Sequence, residues 1–352
     1  MSPSLPFVSI VIPCRNEAAF IGKCLDSILE NDYPADRLEI LVIDGMSADD
    51  TPSIVARYAA QQPHIRLLKN PKKITPCALN LGIQQARGEI IMRMDAHTGY
   101  DSRYIGKCVQ AMQRYPADNV GGIWEIAPRD DTSVGKAIAC ALSHPFGVGN
   151  AHYRHMESST PIWVDTVPFF CYRKTTIQKI GLFNENLPRG QDMEYNLRLQ
   201  KAGGKTLLAP DIVSTYYARS DFRSFWNHNW TNGVWVILPF LHSNVMPVSW
   251  RHLVPLAFVA ATGVSTIMAL FSPLGRFLLG CILGSYFILA AAASFEISRR
   301  EKDGRYFFIM PFIFAGLHVS YGLGSLSGLV QAAAHILKNR RGRHDARNRN
   351  HD

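Results

Sequence analysis

The stretch Glu89-Ile90-Ile91-Met92-Arg93-Met94-Asp95-Ala96-His97 reads as a buried strand that delivers a carboxylate and an imidazole at its end. In an extended chain residues i and i+2 face the same way, so Asp95 and His97 can stand together beside a divalent cation. The competing reading for such an Asp is a cap on the next helix. Working outward, the same pattern recurs upstream. Residues 7–13 are a short apolar run ended by Pro13, followed by Cys14-Arg15-Asn16-Glu17 and a helical pattern to about Leu29. Residues 38–43 make a second strand that ends in the polar turn Asp44-Gly45-Met46-Ser47-Ala48-Asp49-Asp50, which leads into a helix capped near Asp50 or Thr51. Residues 65–68 make a third, and Thr75-Pro76 opens a helix that ends around Arg87-Gly88. Strands alternating with helices in this way predict an α/β fold with a mostly parallel sheet. Ligands then bind at the carboxyl ends of the strands, where Pro13, Asp44 and Asp95 fall.

The motifs that are missing narrow the ligand. No Gly-x-Gly-x-x-Gly follows the first strand and no Gly-x-x-x-x-Gly-Lys-Ser/Thr occurs anywhere, so neither dinucleotide nor P-loop binding is supported. Phosphates are then left to a cation. A sheet-edge acid reading a base or ribose, with a metal bridging a diphosphate, is the chemistry of nucleotide-sugar transfer.

With these residues in place the chain resembles an inverting family 2 glycosyltransferase of the GT-A fold, a nucleotide-sugar-binding, Rossmann-like domain. The resemblance rests on residues 11–17, Asp44-Gly45-Met46-Ser47-Ala48-Asp49, Ala78-Leu79-Asn80-Leu81-Gly82 with Ala86-Arg87-Gly88, Met94-Asp95-Ala96-His97, Gly190-Gln191-Asp192-Met193-Glu194 and Arg198-Leu199 with Ala202-Gly203-Gly204. It covers roughly residues 6–220 in order. Asp-Ala-His in place of Asp-x-Asp, with the runs 145–150 and 164–167, is similar to the glucosyltransferases of succinoglycan-type exopolysaccharide assembly.

The resemblance implies roles position by position. Pro13, Arg15, Asn16 and Glu17 would line the nucleobase and ribose pocket, Asp44 would accept from the uracil edge, Ser47 and Asn80 would complete the nucleotide-sugar site, and Asp95 would contact ribose or metal. His97 stands where a second acid normally ligates the cation. A neutral imidazole suits Mn²⁺ better than the oxygen-preferring Mg²⁺, so Mn²⁺ is expected to work at least as well as Mg²⁺. Asp192 is the expected general base, taking the acceptor hydroxyl proton as that oxygen attacks opposite the leaving diphosphate. Glu194 is the alternative base, and helix capping is the structural reading of Asp192. The family usually carries Glu-Asp where this chain has Gln191-Asp192. No Gln-x-x-Arg-Trp, the element with which processive synthases hold a growing glycan, follows the base, so single-sugar addition is expected.

The seven cysteines form no Cys-x-x-Cys pair and read as small buried residues in a reducing compartment, with no zinc site. His144, His152 and His155 with Arg154 read as a solvated polar loop, with an acceptor phosphate as the other reading.

The C-terminal part changes the setting. Residues 253–271 and 277–295 carry no charge and are long enough at about 1.5 Å per residue to cross a bilayer. Residues 306–337 are a third apolar segment, about 48 Å as one helix against a core of roughly 30 Å. Gly316, Gly322, Gly324 and Gly328 favour a break near its middle. Arg299, Arg300, Lys302 and Arg305 follow the second span while only Arg276 separates the first two, which predicts a catalytic domain facing the cytoplasm from the inner membrane. Keeping the basic tail on that side then needs a paired or re-entrant third segment. The expected organisation is a domain at 1–220, a Trp-rich interfacial segment at 221–250, a multi-pass region at 251–337 and a basic tail at 338–352. The formal charge of +9 is concentrated beside membrane spans, where it meets anionic lipid, so nucleic acid is not an expected partner. No basic region with an apolar core opens the chain, so no cleaved signal peptide is expected.

The function expected is transfer of a hexose, glucose by resemblance, from a UDP-sugar to a polyprenyl-diphosphate-linked saccharide, with a divalent cation (Mn²⁺ or Mg²⁺) and other polysaccharide-assembly proteins as partners. The alternatives are a polyprenyl-phosphate sugar synthase and a non-catalytic nucleotide-sugar-binding membrane protein.

Overall fold

Apolar runs without alternation predict strands covered on both faces, and the structure has them. The computed structural model describes residues 5–154, 159–241 and 250–348, with side chains up to 338. The chain divides into two units, residues 1–127 with 151–217 and residues 128–150 with 218–352.

The first unit opens with β1 (Val8–Cys14), α1 (Ile21–Leu29), β2 (Leu38–Asp44), α2 (Thr51–Gln61), β3 (Ile65–Lys69), α3 (Thr75–Gln85) and β4 (Ile90–Arg93). Every position of β2 is buried. β1 pairs in parallel with β2 (Cys14 opposite Asp44) and with β4 (Val11 opposite Arg93), while β3 pairs in parallel with β2 (Lys69 opposite Asp44). Their carboxyl ends therefore share one edge.

Beyond β4 the chain continues through β5 (Thr98–Tyr100), α4 (Tyr104–Arg114), β6 (Asn119–Pro128), α5 (Ser133–Leu142), α6 (Pro145–Val148), β7 (Ile162–Val164), β8 (Cys171–Arg173), α7 (Lys174–Ile180), α8 (Gln191–Lys201) and β9 (Thr206–Ala218). The strand order is β3-β2-β1-β4-β8-β6-β9-β5, with β7 on β9. β8 runs antiparallel to β4 and β6, and β9 antiparallel to β5 and β7. Two apolar clusters cover the parallel strands, one holding Ile10, Val42 and Ile105, the other Val11, Leu41, Leu79 and Tyr195.

A buried carboxylate ties the sheet to the turn before β4. Ser9 donates to Glu39 (2.6 Å), as do the Arg87 amide (2.6 Å) and guanidinium (3.0 Å), and the Gly88 amide donates to Ser9 (2.8 Å). A Cβ on Gly88 would lie 2.6 Å from the Ser9 nitrogen, so the turn needs glycine. Burial pushes the Glu39 carboxyl up, but the bonds from Ser9 and Arg87 outweigh it and hold the group below the usual carboxylate range. Its contribution to stability is thus present above the ordinary Glu value of about 4.3 and is lost as pH falls toward the lowered folded value. Glu39→Leu, which strands the Ser9 hydroxyl and the Arg87 amide, is expected to destabilise by roughly 1–3 kcal/mol per orphaned group. Thermal unfolding in detergent should show a lower Tm and a shallower loss between pH 5 and pH 3 than the wild type.

The second unit holds α5 and α6 together with α9 (Phe222–Ile237), α10 (Val254–Ala269), α11 (Pro273–Arg300) and α12 (Arg305–Asn348). Within the expected 1–220 span, residues 128–150 thus group with this second unit. The small apolar face of α5, with Ala137, Ile138 and Ala141 buried, packs on α12 instead. Among the described residues three helices, Trp250–Ala269, Pro273–Arg300 and Arg305–Lys338, are long and apolar enough to cross a membrane.

The expected break in the third segment does not occur, because α12 is continuous and its glycines admit neighbouring backbone. A Cβ on Gly324 would lie 2.1 Å from the Trp230 carbonyl oxygen, on Gly328 2.8 Å from that of Val234, and on Gly322 2.3 Å from that of Pro255. Such close approach of small residues is how helices pack where no hydrophobic drive separates them from lipid. Arg305 and the basic positions from Lys338 to Arg347 thus stand at opposite ends of one helix. One face of the Trp-rich α9 is spent on α12, with Phe225, Asn229, Gly233 and Val234 buried; positions 242–249 of that expected interfacial segment lie outside the described residues. Gly324→Leu should unseat α9 at a cost of about 1–3 kcal/mol. Gly280→Leu, where nothing lies within 4 Å, should leave the melting temperature in detergent unchanged.

His144 does not lie in a solvated loop: it is 6% exposed, its Nδ1 accepts from the Phe146 amide at the start of α6 (3.1 Å), and its Nε2 lies 3.3 Å from Glu296. Arg154 lies over the Trp124 ring at 4.8 Å, and His155 is outside the described residues. All seven cysteines are free thiols, and burial, the largest cause, pushes Cys14 up to about 12.

Candidate active site

The carboxyl ends of β1 and β2 are stitched together by side chains. Asp44 accepts from the Ser47 amide (3.2 Å) and hydroxyl (2.5 Å), Ser47 Oγ accepts from the Asn16 amide (2.8 Å), and Asn16 Oδ1 accepts from the Ala48 amide (2.8 Å). Asn16 and Met46 adopt positive φ, 55° and 58°, which the tight apposition of the two loops demands. Asp44 is 4% exposed, Pro13 half-buried and Arg15 exposed. The Glu17 amide donates to the Thr51 hydroxyl (2.8 Å), which ties the loop after β1 to the start of α2.

β4 ends at Arg93, two residues before Asp95. The Asp95 amide donates to the Tyr100 hydroxyl (2.6 Å), so a buried phenol fixes the turn. Both Asp95 oxygens receive the Arg93 guanidinium, Nε at 2.7 Å and Nη2 at 3.1 Å. His97 Nδ1 lies 3.0 Å from Glu17 Oε1, and its ring meets Tyr216 edge-on at 6.1 Å. The strand thus brings Asp95 and His97 to the same edge but gives each a separate partner. A cleft of about 430 Å³ opens beside His97, lined by Phe20, Lys23, Glu125, Thr215 and Tyr217.

Asp192 stands in the first turn of α8, where the helix dipole favours a carboxylate. Both of its oxygens lie 2.7 Å from Arg93 Nη1, and Gln191 Nε2 reaches one of them at 3.3 Å. Its side chain is 41% exposed against 11% for Arg93. Glu194, the alternative base, is 3% exposed and consumed by Arg198 (2.7 and 3.0 Å), a pair that also braces the carbonyls of Ile180 and Leu182. Asn80 is set apart from the other expected site residues. Its amide is taken by Phe183 N and O and by Glu185, which makes it a buried brace between α3 and the chain ahead of α8.

Arg93 is the residue that reading the sequence passed over. The signal was there: one arginine among Ile90, Ile91, Met92 and Met94 is a charge in a buried strand, and a buried charge needs a partner. Burial works against its charge, but Asp192 and Asp95 raise its pKa and keep it protonated.

Among the described residues no three His, Cys, Asp or Glu side chains gather as a ready metal cluster. The donor chemistry nonetheless fits a divalent cation. Asp95 supplies oxygen, and His97 has its Nδ1 against a carboxylate, the arrangement in which a ligating imidazole uses Nε2.

The profile of glycosyl transferase family 2 matches residues 9–181. A dolichyl N-acetyl-alpha-D-glucosaminyl phosphate 3-beta-D-2,3-diacetamido-2,3-dideoxy-beta-D-glucuronosyltransferase of Methanococcus voltae is 31% identical over 228 residues, 62% of this chain and 69% of that protein. The chain belongs to glycosyl transferase family 2. Among other members of the family, the succinoglycan biosynthesis protein ExoA of Rhizobium meliloti is 27% identical over 281 residues, 78% of this chain and 83% of its own. The mannosyltransferase PcManGT of Pyrobaculum calidifontis, solved with GDP-Man and Mn²⁺, superposes with a TM-score of 0.61 at 20% identity, covering 92% of this chain and 88% of its own. This family 2 glycosyltransferase therefore has a GT-A α/β unit, and apolar helices of membrane-spanning length follow it in the chain.

Proposed function

We propose that this glycosyltransferase is membrane-bound and inverting, and that it moves a hexose from a UDP-sugar to a polyprenyl-diphosphate-linked saccharide in exopolysaccharide assembly. The observation that supports the reading is the single guanidinium of Arg93 shared by Asp95 and Asp192, which brings together the two carboxylates to which the reading gives the donor and acceptor sides. Asp192 takes the proton of the acceptor hydroxyl as its oxygen attacks the anomeric carbon; the bond from that carbon to the diphosphate oxygen breaks and UDP leaves. Asp44, Ser47 and Asn16 hold the nucleoside end, with Pro13, Arg15 and Glu17 beside them. Asp95 and His97 would hold a divalent cation, which when bound stabilises the charge on the departing diphosphate.

The acceptor class is argued from the membrane-length helices and from relatives named for lipid-linked sugar and exopolysaccharide synthesis. Glucose is carried by the likeness of residues 145–150 and 164–167 to succinoglycan-type glucosyltransferases. The charges at 299–305 against Arg276 favour a cytoplasmic α/β unit. Membranes given a panel of labelled UDP-sugars should form an extended lipid-linked saccharide. A lipid monophosphosugar as sole product would make the protein a polyprenyl-phosphate sugar synthase, and nucleotide binding without transfer would make it a non-catalytic binder.

A further inference from the structure

We infer that Arg93 is a positioning residue: it holds the carboxylate of Asp192 at the acceptor side of the site and keeps it apart from the donor-side carboxylate of Asp95. The inference rests on the assignment of Asp192 as base and goes beyond it.

The geometry is that of a splitter. Arg93 is planar and presents two edges. One edge, Nε with Nη2, is spent bidentately on Asp95, and the remaining donor, Nη1, spans both oxygens of Asp192. Two carboxylates that turn toward one diphosphate-bearing donor repel each other and the donor. The guanidinium supplies one fixed positive charge to this set and sets the spacing of the acids.

The pair is not needed to seat α8. That helix is already anchored by Asn196, which accepts from Asn119 (3.1 Å) and Tyr172 (2.8 Å) and donates to Thr166 (3.0 Å). Tyr195 stacks on Phe183 at 4.0 Å, and Arg198 with Glu194 ties the helix to the loop after α7. With the backbone of Asp192 fixed by these contacts, Arg93 governs where its side chain points. Lysine would keep the charge but cannot make the two-edged contact.

The test compares initial rates of full-length wild type, Arg93→Met, Arg93→Lys, Asp192→Asn and the Arg93→Met/Asp192→Asn double variant in membranes, with the nucleotide sugar that gives the highest rate in the donor panel. Arg93→Met is expected to lower kcat about 10²-fold, the size of a misplaced catalytic group, with the donor KM changed less than about threefold. Arg93→Lys should recover about tenfold of that. In the Asp192→Asn background, removing Arg93 should cost less than about threefold, because residues acting as a unit are not additive. Equal losses from Arg93→Met in both backgrounds, or a wild-type kcat in Arg93→Met, would overturn the inference. If Asp192→Asn transfers at the wild-type rate, the base assignment falls and the link falls with it, which is visible before any Arg93 variant is read. Should Arg93→Met lose UDP binding through misfolding, Arg93→Lys carries the comparison: a kcat loss at unchanged KM supports the inference, and unchanged kcat overturns it.

Discussion

Asp192→Asn is expected to transfer sugar about 10²–10⁴-fold more slowly than the wild type, with UDP binding nearly intact. The substitution keeps the shape of the side chain and its place in the first turn of α8, but removes the charge that faces Arg93 and the capacity proposed for Asp192, that of accepting the acceptor proton. Binding should stay because the residues proposed for the nucleoside end, Asp44, Ser47 and Asn16, lie on another set of loops and are bonded to one another. Equal rates for the two proteins would return Asp192 to the role of a helix-capping acid. Glu194 offers no second route: its carboxylate is buried and held by Arg198, and Glu194→Gln should act on stability more than on turnover.

Glu17→Gln is expected to weaken the apparent affinity for Mn²⁺ about 10–100-fold, the usual effect of removing the carboxylate behind a ligating histidine. Glu17 was expected in the ribose pocket. The structure puts its carboxylate 3.0 Å from His97 Nδ1, the place from which a carboxylate would orient a ligating ring. EDTA should abolish transfer by the wild type, and Mn²⁺ should restore it at lower concentration than Mg²⁺. His97→Asp, which exchanges nitrogen for oxygen, should narrow that preference. Activity titrations with each metal read all three effects. An Mn²⁺ requirement unmoved by Glu17→Gln and His97→Asp would remove this pair from the cation site.

The elements legible in the sequence were those whose signal is local. The runs 7–13, 38–43 and 90–94 are mostly apolar without alternation and hold the buried parallel strands β1, β2 and β4. Asp44 and Asp95 fall at strand ends because polar turns end the runs. The antiparallel strands were not legible. β5, β7 and β8 are three residues each, too short for a period, and they exist only because distant partners pair with them.

Asn80 shows a second limit. A polar residue in a family-like motif reads as a ligand, yet its amide matches the Phe183 backbone and Glu185, more than a hundred positions away. Likewise Gly316, Gly322, Gly324 and Gly328 read as helix breakers from propensity alone. In α12 the space they leave is filled by the backbones and side chains of α9 and α10, a tertiary contact that propensity does not register. Arg93 could have been found by asking what neutralises a charge inside a strand. That the answer is Asp192, 99 positions downstream, required the fold.

Incorporation of labelled glucose from UDP-glucose into lipid-extractable saccharide, by membranes with and without the protein and with Mn²⁺ or EDTA, tests the central claim most directly. The account predicts label in an extended lipid-linked saccharide that depends on both the protein and the metal. Absence of lipid-extractable label with UDP-glucose and every other UDP-sugar, in membranes that still bind UDP, would contradict it.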